Sequence, residues 1–423
     1  MTALLSRTYD LPLITLSLDV DTAPTPPEPR GIRLSVEAPG GGREEVELPL
    51  LLPVDLAGIA AALEAGTPLQ LPPDTQHLIR STLVDLLRGE PIWLEFERPW
   101  GYLPVLPWER ILAPALPAPL LRLPLSAVPA PRTAKALRIA VCAPASATQA
   151  LDDFLGAVVP GLPDGTEVEV FAAAAGRAAA AAHPVIVHEP PFADLPVEDE
   201  LESPWMRWLA AEIAPRSVDV VHVIAPGRLS RTYGMLDMGD SPAGIACPSS
   251  VRLVSTGQLL ACLTHVGAWS VSLGATGGEA AVRLLAHRMT ALVSGPVVLG
   301  ARGADPHALA AAMSYLYTHE REHPPESRGL MVSCHPRRVH DRGPAAPAKR
   351  EDLQKDLEHA IDQCTPAIAE GAPAWAAANQ RLLERWTADM IGIERAPGES
   401  EAVAPGVTEA LHFISTAIEE SAQ

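Results

Sequence analysis

Between about residues 105 and 340 the chain alternates short, nearly continuous apolar runs with stretches of helical periodicity. The runs are Leu137–Cys142, Glu167–Phe171, Val218–Ile224, Trp269–Leu273 and Val297–Leu299. The helical stretches are Ser146–Val158, Trp205–Ile213, Gln258–Val266 and Glu279–Val293. A strand reads apolar throughout when both of its faces are buried. Such strands, separated by helices, build a parallel sheet covered on both sides. The expected fold is therefore α/β, with a mostly parallel sheet covered by helices.

The flanks read differently. In Ile14–Val20 and Ile32–Glu37 every second residue is apolar, the period of a half-buried strand. Val46–Leu52 follows as a further strand after the Gly40–Gly42 turn. Helices are expected over Asp55–Glu64 and Asp74–Leu87, and Ile92, Leu94 and Phe96 mark another alternating strand. Residues 1–104 thus form an N-terminal α+β region and 105–345 the α/β core. Residues 346–423 form a C-terminal helical extension. In it Leu353, Leu357, Ile361, Cys364 and Ile368 make an apolar stripe, continued by Leu383, Trp386 and Met390, and a last short helix is expected over 407–419. The stripe must be covered by the core or by a partner. The alanine-rich piece Ala172–Ala182 reads as a plain helix or connector.

Charge and cysteine usage narrow the function classes. Asp plus Glu number 51 against 32 Lys plus Arg, a net charge of −19. A surface that negative repels phosphate backbones and anionic lipids, so nucleic acid is not expected as a partner. The uncharged stretch Leu253–Gly278 is broken by Ser255, Thr256, Gln258, Thr264 and His265, and no membrane span is expected. Met1–Asp10 carries no apolar signal segment. Five scattered cysteines form no disulfide framework, so the expected location is cytoplasmic.

Four segments in order carry a family resemblance. Pro107-Trp108-Glu109 is followed by the extended Pro119-Leu120-Leu121-Arg122 and then by Leu137-Arg138-Ile139-Ala140-Val141. Further on stands Val218-Asp219-Val220-Val221-His222. Over about 105–300 the chain resembles the CHAT peptidases, the bacterial caspase-like family. The resemblance implies a caspase-like sheet. A Trp next to a Glu in the segment entering that sheet should pack its ring on the core while the carboxylate caps or pairs locally. The resemblance also implies a catalytic histidine and cysteine at the carboxyl ends of two neighbouring strands.

At those positions this sequence departs from the family. Where members carry a Gly-His-Gly turn after the Val-His strand, it reads Ala225-Pro226-Gly227, and proline cannot move a proton. His222 corresponds to the earlier, strand-internal histidine. Ala261-Cys262-Leu263-Thr264 matches the letters of the cysteine motif but lies on a helix before the next core strand. The carboxyl end of that strand offers Gly274, Ala275, Thr276 and Gly277. An active enzyme would have to use His222 as base and Cys262 as thiolate nucleophile.

Three other patterns enter as alternatives. His319-Glu320-Arg321-Glu322-His323 fits the His-Glu-x-x-His zinc signature, with Cys334, His335 or His340 as a third ligand. Pro324 and Pro325 act against it by driving His323 out of helical geometry. Gly274–Gly278 follows a strand and opens a helix, a place where backbone amides can hold an anion. Pro336-Arg337-Arg338 and Lys349-Arg350 make a basic concentration that reads as solvated loop.

The resulting expectation is a CHAT-like pseudopeptidase that acts by binding. It would be an adaptor or regulator in a bacterial conflict or programmed-death pathway, with protein partners such as a peptidase or sensor and with no cofactor. The alternatives are a cysteine endopeptidase using His222 and Cys262, and a zinc hydrolase using His319 and His323.

Overall fold

The computed structural model describes residues 11–340 except 22–27, 41, 51–54, 85–89, 98–99, 117, 126–135, 192–200 and 319–328. The chain divides after Pro347 into two units, and all described residues belong to the first. The C-terminal stripe Leu353, Leu357, Ile361, Cys364, Ile368, Leu383, Trp386 and Met390, the expected helix 407–419 and Lys349-Arg350 lie outside the described residues. So do His319 and His323.

The N-terminal region gives β1 (Leu13–Asp21), β2 (Glu28–Glu37) and β3 (Arg43–Pro49). Helices α1 (Leu56–Glu64) and α2 (Pro73–Thr82) follow, then β4 (Ile92–Phe96). Asp55 caps α1 by accepting a hydrogen bond from the Gly58 N–H at 2.8 Å. A one-turn helix α3 (Trp108–Ile111) and β5 (Leu120–Arg122) lead into the core.

The core runs β6 (Arg138–Ala143), α4 (Thr148–Asp153), β7 (Glu167–Ala172), α5 (Ala174–Ala180) and β8 (Ile186–Val187). It continues with α6 (Pro204–Ile213) and β9 (Val220–Ala225). Three short strands β10 (Gly227–Ser230), β11 (Tyr233–Asp237) and β12 (Leu253–Val254) come next, with the turn of helix α7 (Ser249–Arg252) before the last. Then follow α8 (Thr256–His265), β13 (Ser270–Ala275), α9 (Glu279–Leu292) and β14 (Val297–Gly300). The last elements are α10 (Pro306–Met313), β15 (Leu330–Ser333) and α11 (Arg337–His340).

Among the described residues, twelve strands form one sheet in the order β3-β2-β1-β4-β5-β15-β14-β13-β9-β6-β7-β8. The β1–β2, β2–β3 and β14–β15 pairs are antiparallel, and every other pairing is parallel. The expected α/β fold with a mostly parallel sheet is what the chain adopts. The N-terminal strands extend this same sheet through β4, β5 and β15. That position explains β4. The alternating pattern predicts a half-buried strand, yet all five residues are buried because β1 and β5 flank it and apolar clusters cover both faces.

Successive side chains of a strand point to opposite faces. On β9, Val220 and Ile224 pack into a cluster with Leu151, Phe154, Leu155 and Leu309 from the α4 and α10 side. Val221, Val223 and Ala225 pack into another, with residues of α6, α8 and α9. A third cluster lies around the N-terminal strands and includes Ala280 and Leu284 of α9. Helix α9 therefore serves two clusters at once. No helix among the described residues is long and apolar enough to cross a membrane.

Two local departures from the expected elements bear on the site. The helix expected over Ser146–Val158 is α only to Asp153 and widens into a π turn over Phe154–Val158. Strands β10, β11 and β12 form a separate small sheet, and their short, alternately exposed residues carry no sustained apolar signal.

Candidate functional site

The carboxyl ends of β9 and β13 lie side by side. The two strands pair in parallel register from Ser270↔Val220 to Ala275↔Ala225. Beyond them the Thr276 N–H donates to the Ala225 carbonyl at 3.3 Å, and the Gly227 N–H donates to the Gly277 carbonyl at 2.8 Å. Pro226 and Gly277 therefore abut. Neither has a side chain that can carry a proton or attack a carbonyl.

His222 lies four residues before Pro226, deeper in β9, and is 1% exposed. Its Nδ1 lies 2.8 Å from Ser272 Oγ on β13. Its ring stacks on Phe154, with centroids 4.4 Å apart and planes 21° from parallel. The π turn supplies Phe154 at this point. Burial pushes the His222 pKa down from 6.5 to about 3. The imidazole is thus neutral at physiological pH and a weak base.

Cys262 lies elsewhere. It is buried on α8 in the cluster that takes the opposite residues of β9, with Sγ 3.9 Å from the Met206 carbonyl. Burial pushes its thiol up to about 12. His222 belongs to the face of Val220 and Ile224, and Cys262 packs against the face of Val221 and Val223. The structure does not bring the pair proposed from sequence together, because strand alternation sends them to opposite sides of the sheet. Cys142, also on the Cys262 side, is buried and likewise held protonated.

The remaining expected positions are placed as follows. No three His, Cys, Asp or Glu side chains among the described residues are grouped to hold a metal ion. Cys334 and His335, two of the third-ligand candidates, are buried; the His335 Nδ1 accepts from the Arg337 N–H at 3.1 Å. The glycine turn does not wait for a free anion. The Gly278 N–H donates to the Glu64 carboxylate of α1 at 2.8 Å, so a side chain of this chain already occupies the start of α9. Gly278 needs to be glycine for two reasons. Its φ is +58°, and a Cβ there would stand 2.0 Å from the Gly227 carbonyl oxygen.

Pro107-Trp108-Glu109 builds a buried anchor. Trp108 is fully buried, and its indole N–H donates to the Leu103 carbonyl at 2.7 Å. The Arg122 guanidinium meets Glu109 at 2.9 Å and also donates to the Pro104 and Leu106 carbonyls. The other Glu109 oxygen accepts from Arg283 of α9, whose Nε donates to Glu279 at 2.7 Å. Burial alone would raise the Glu109 carboxyl, but Arg283 and Arg122 outweigh it and hold it at about 2. The partner of Glu109 on α9 has no sequence signal, since 174 positions separate the two residues.

Two clefts open on the carboxyl edge of the sheet. One, of about 810 Å³, lies past β6, β7 and β9 and is bounded by Pro144, Ala173, Pro226, Trp205 and Asp240. The other, of about 420 Å³, lies past β9, β13 and β14 and reaches His222. Ser146 lines both. Carboxyl edges of such sheets, where the strand order reverses, are the usual ligand positions. The order does reverse here: β7 lies on one side of β6 and β9 on the other. No family model and no curated protein matches the chain.

Proposed function

We propose that the chain is a CHAT-like, caspase-related pseudopeptidase that works by binding protein partners. Its place would be that of an adaptor or regulator in a bacterial conflict or programmed-death pathway. One observation carries the reading. Pro226 and Gly277 stand together beyond the ends of neighbouring parallel strands; by the resemblance Pro226 takes the histidine position, and the cysteine position falls within Gly274, Ala275, Thr276 and Gly277, where there is no cysteine. A mostly parallel α/β sheet without a histidine or cysteine at these two turns supports the reading. The buried anchor of Trp108, Glu109 and Arg122 supports the same ancestry, because these residues carry the resemblance in sequence.

The test is a peptidase assay on the full chain in reducing buffer, against a degenerate peptide library, with Cys262→Ala alongside. The expected result is no thiol-dependent cleavage by either protein, while the variant retains every co-purifying partner of the parent. Cleavage by the parent that alkylation or Cys262→Ala abolishes would overturn the reading.

A further inference from the structure

We propose that the cleft past β9, β13 and β14 binds a small planar aromatic monocarboxylate carrying a ring hydroxyl. Four observations select this class. The first is the free nitrogen of His222. Its Nδ1 is engaged by Ser272, whereas Nε2 has no hydrogen-bond partner among the described residues, on a side chain that is 1% exposed and lines the cleft. A ring nitrogen that no described protein group engages, on a side chain that lines a cleft, is open to a ligand there. A neutral imidazole nitrogen is a donor in one tautomer and an acceptor in the other. A hydroxyl can both donate and accept, and it satisfies either tautomer.

The second observation is a glycine pair. Gly274 and Gly300 are register partners on β13 and β14, and both line the cleft. Glycine inside a strand weakens it, and one common reason for it is close approach of a ligand. At Gly274 the reason is space. A Cβ would fit at ordinary contact distance from Ile224, but it would stand 3.7 Å from His222 Nε2 and cover it. At Gly300 a Cβ would find its nearest atoms at 3.9 Å. Two bare, adjacent peptide units offer a flat floor for a ring.

The third is the wall. Phe154, Val158, Ile224 and Leu309 give the cleft an apolar lining that suits an aromatic ring. Its volume of about 420 Å³ falls within the roughly 300–1,000 Å³ of small-molecule sites. The fourth is charge at the mouth. Arg302, on the β14–α10 turn, is exposed and has no ion pair or hydrogen bond among the described residues. Asp153, with its Oδ1 held by Gln149 at 3.0 Å, faces the same opening. One free cation beside one carboxylate accepts a single negative charge and disfavours a phosphate bearing two.

The probe is 4-hydroxybenzoate, titrated into the full chain by calorimetry, with benzoate and methyl 4-hydroxybenzoate as controls. We expect saturable one-to-one binding, at least tenfold weaker for each control. Gly274→Ala should weaken 4-hydroxybenzoate at least tenfold with an unchanged melting temperature. Arg302→Gln should weaken the acid and leave the ester unaffected. If Gly274→Ala does not fold, Gly300→Ala and the three-compound comparison on the parent protein decide. Absence of saturable 4-hydroxybenzoate binding, equal binding of benzoate, or binding indifferent to the glycine variants would each overturn the proposal.

Discussion

Glu109 and His222 are both buried polar side chains, and they meet burial in opposite ways. Around Glu109 both carboxylate oxygens meet guanidinium groups, from Arg122 and Arg283, and Arg122 goes on to two backbone carbonyls. Around His222 one ring nitrogen is held by Ser272 and the other faces a cleft. The first arrangement turns its charges inward and spends them on joining β5, α3 and α9. The second orients a neutral ring and leaves part of it available. Burial alone therefore does not mark a site; the valence left over after burial does.

The largest break in this comparison should come from the anchor. Glu109→Gln would leave Arg122 and Arg283 without their shared carboxylate, and removing one member of a buried ion group costs about 3–5 kcal/mol. Denaturant unfolding measures it. The parent carboxyl sits at about 2, below its ordinary 4.5, so it contributes stability above pH 4.5 that is lost as pH falls towards about 2. The variant should lack that part of the acid response. A loss under 1 kcal/mol would show that the anchor is not a stabilising unit.

Trp108→Ala comes next in kind and overlaps in size, at about 3–5 kcal/mol, as for large aromatic truncations in cores. Its indole hydrogen bond to Leu103 is lost as well. An unchanged midpoint in the same unfolding experiment would refute the assignment of Trp108 to the core.

The His222 corner should respond to pH in its own way. Its folded pKa of about 3 lies below its ordinary 6.5. Between these values the unfolded chain takes up a proton that the folded chain refuses. Stability should then fall by roughly 1 kcal/mol per pH unit on going down from about pH 6.5 to about pH 3. His222→Phe keeps a ring against Phe154 and should reduce the measured slope by that amount, leaving the similar contribution of His287, which burial also pushes down to about 3. Equal slopes in parent and variant would mean that His222 titrates normally.

The smallest effect is chemical. Cys142, Cys262 and Cys334 are buried, while Cys247 is partly exposed. With the Cys262 thiol pushed up to about 12, brief alkylation of the native protein followed by peptide mapping should mark Cys247 and spare those three. Early modification of Cys262 would revive it as a nucleophile.

The sheet was legible because both-face burial writes itself into composition. Leu137–Cys142, Val218–Ile224 and Val297–Leu299 each became a strand of the core. The small sheet was not, since Gly227–Ser230 and Tyr233–Asp237 show alternate exposure over only four and five residues. At the site, the absence of a histidine and a cysteine could be read from Pro226 and from Gly274, Ala275, Thr276 and Gly277. The opposite placement of His222 and Cys262 could not, because it depends on which cluster α8 joins. Nor could the glycine pair, since Gly274 and Gly300 become neighbours only through strand register. Arg122 and Glu109 are close in sequence, but Arg283 reaches them only through the tertiary fold.

Helix α9 sets how this protein can be divided and inherited. One flank, at Ala280 and Leu284, belongs to the N-terminal cluster, and another, at Val282, Leu285 and Met289, belongs to the core. Arg283 points to Glu109, and the helix begins on the Glu64 carboxylate. A gene fragment cut at the boundary near residue 105 would carry α9 into its new setting with one apolar flank bare and its first amide without a partner. Residues 11–104 would in turn lose the surface on which they rest. Shuffling at that boundary should be selected against, and the two regions should travel between genomes as a single heritable block.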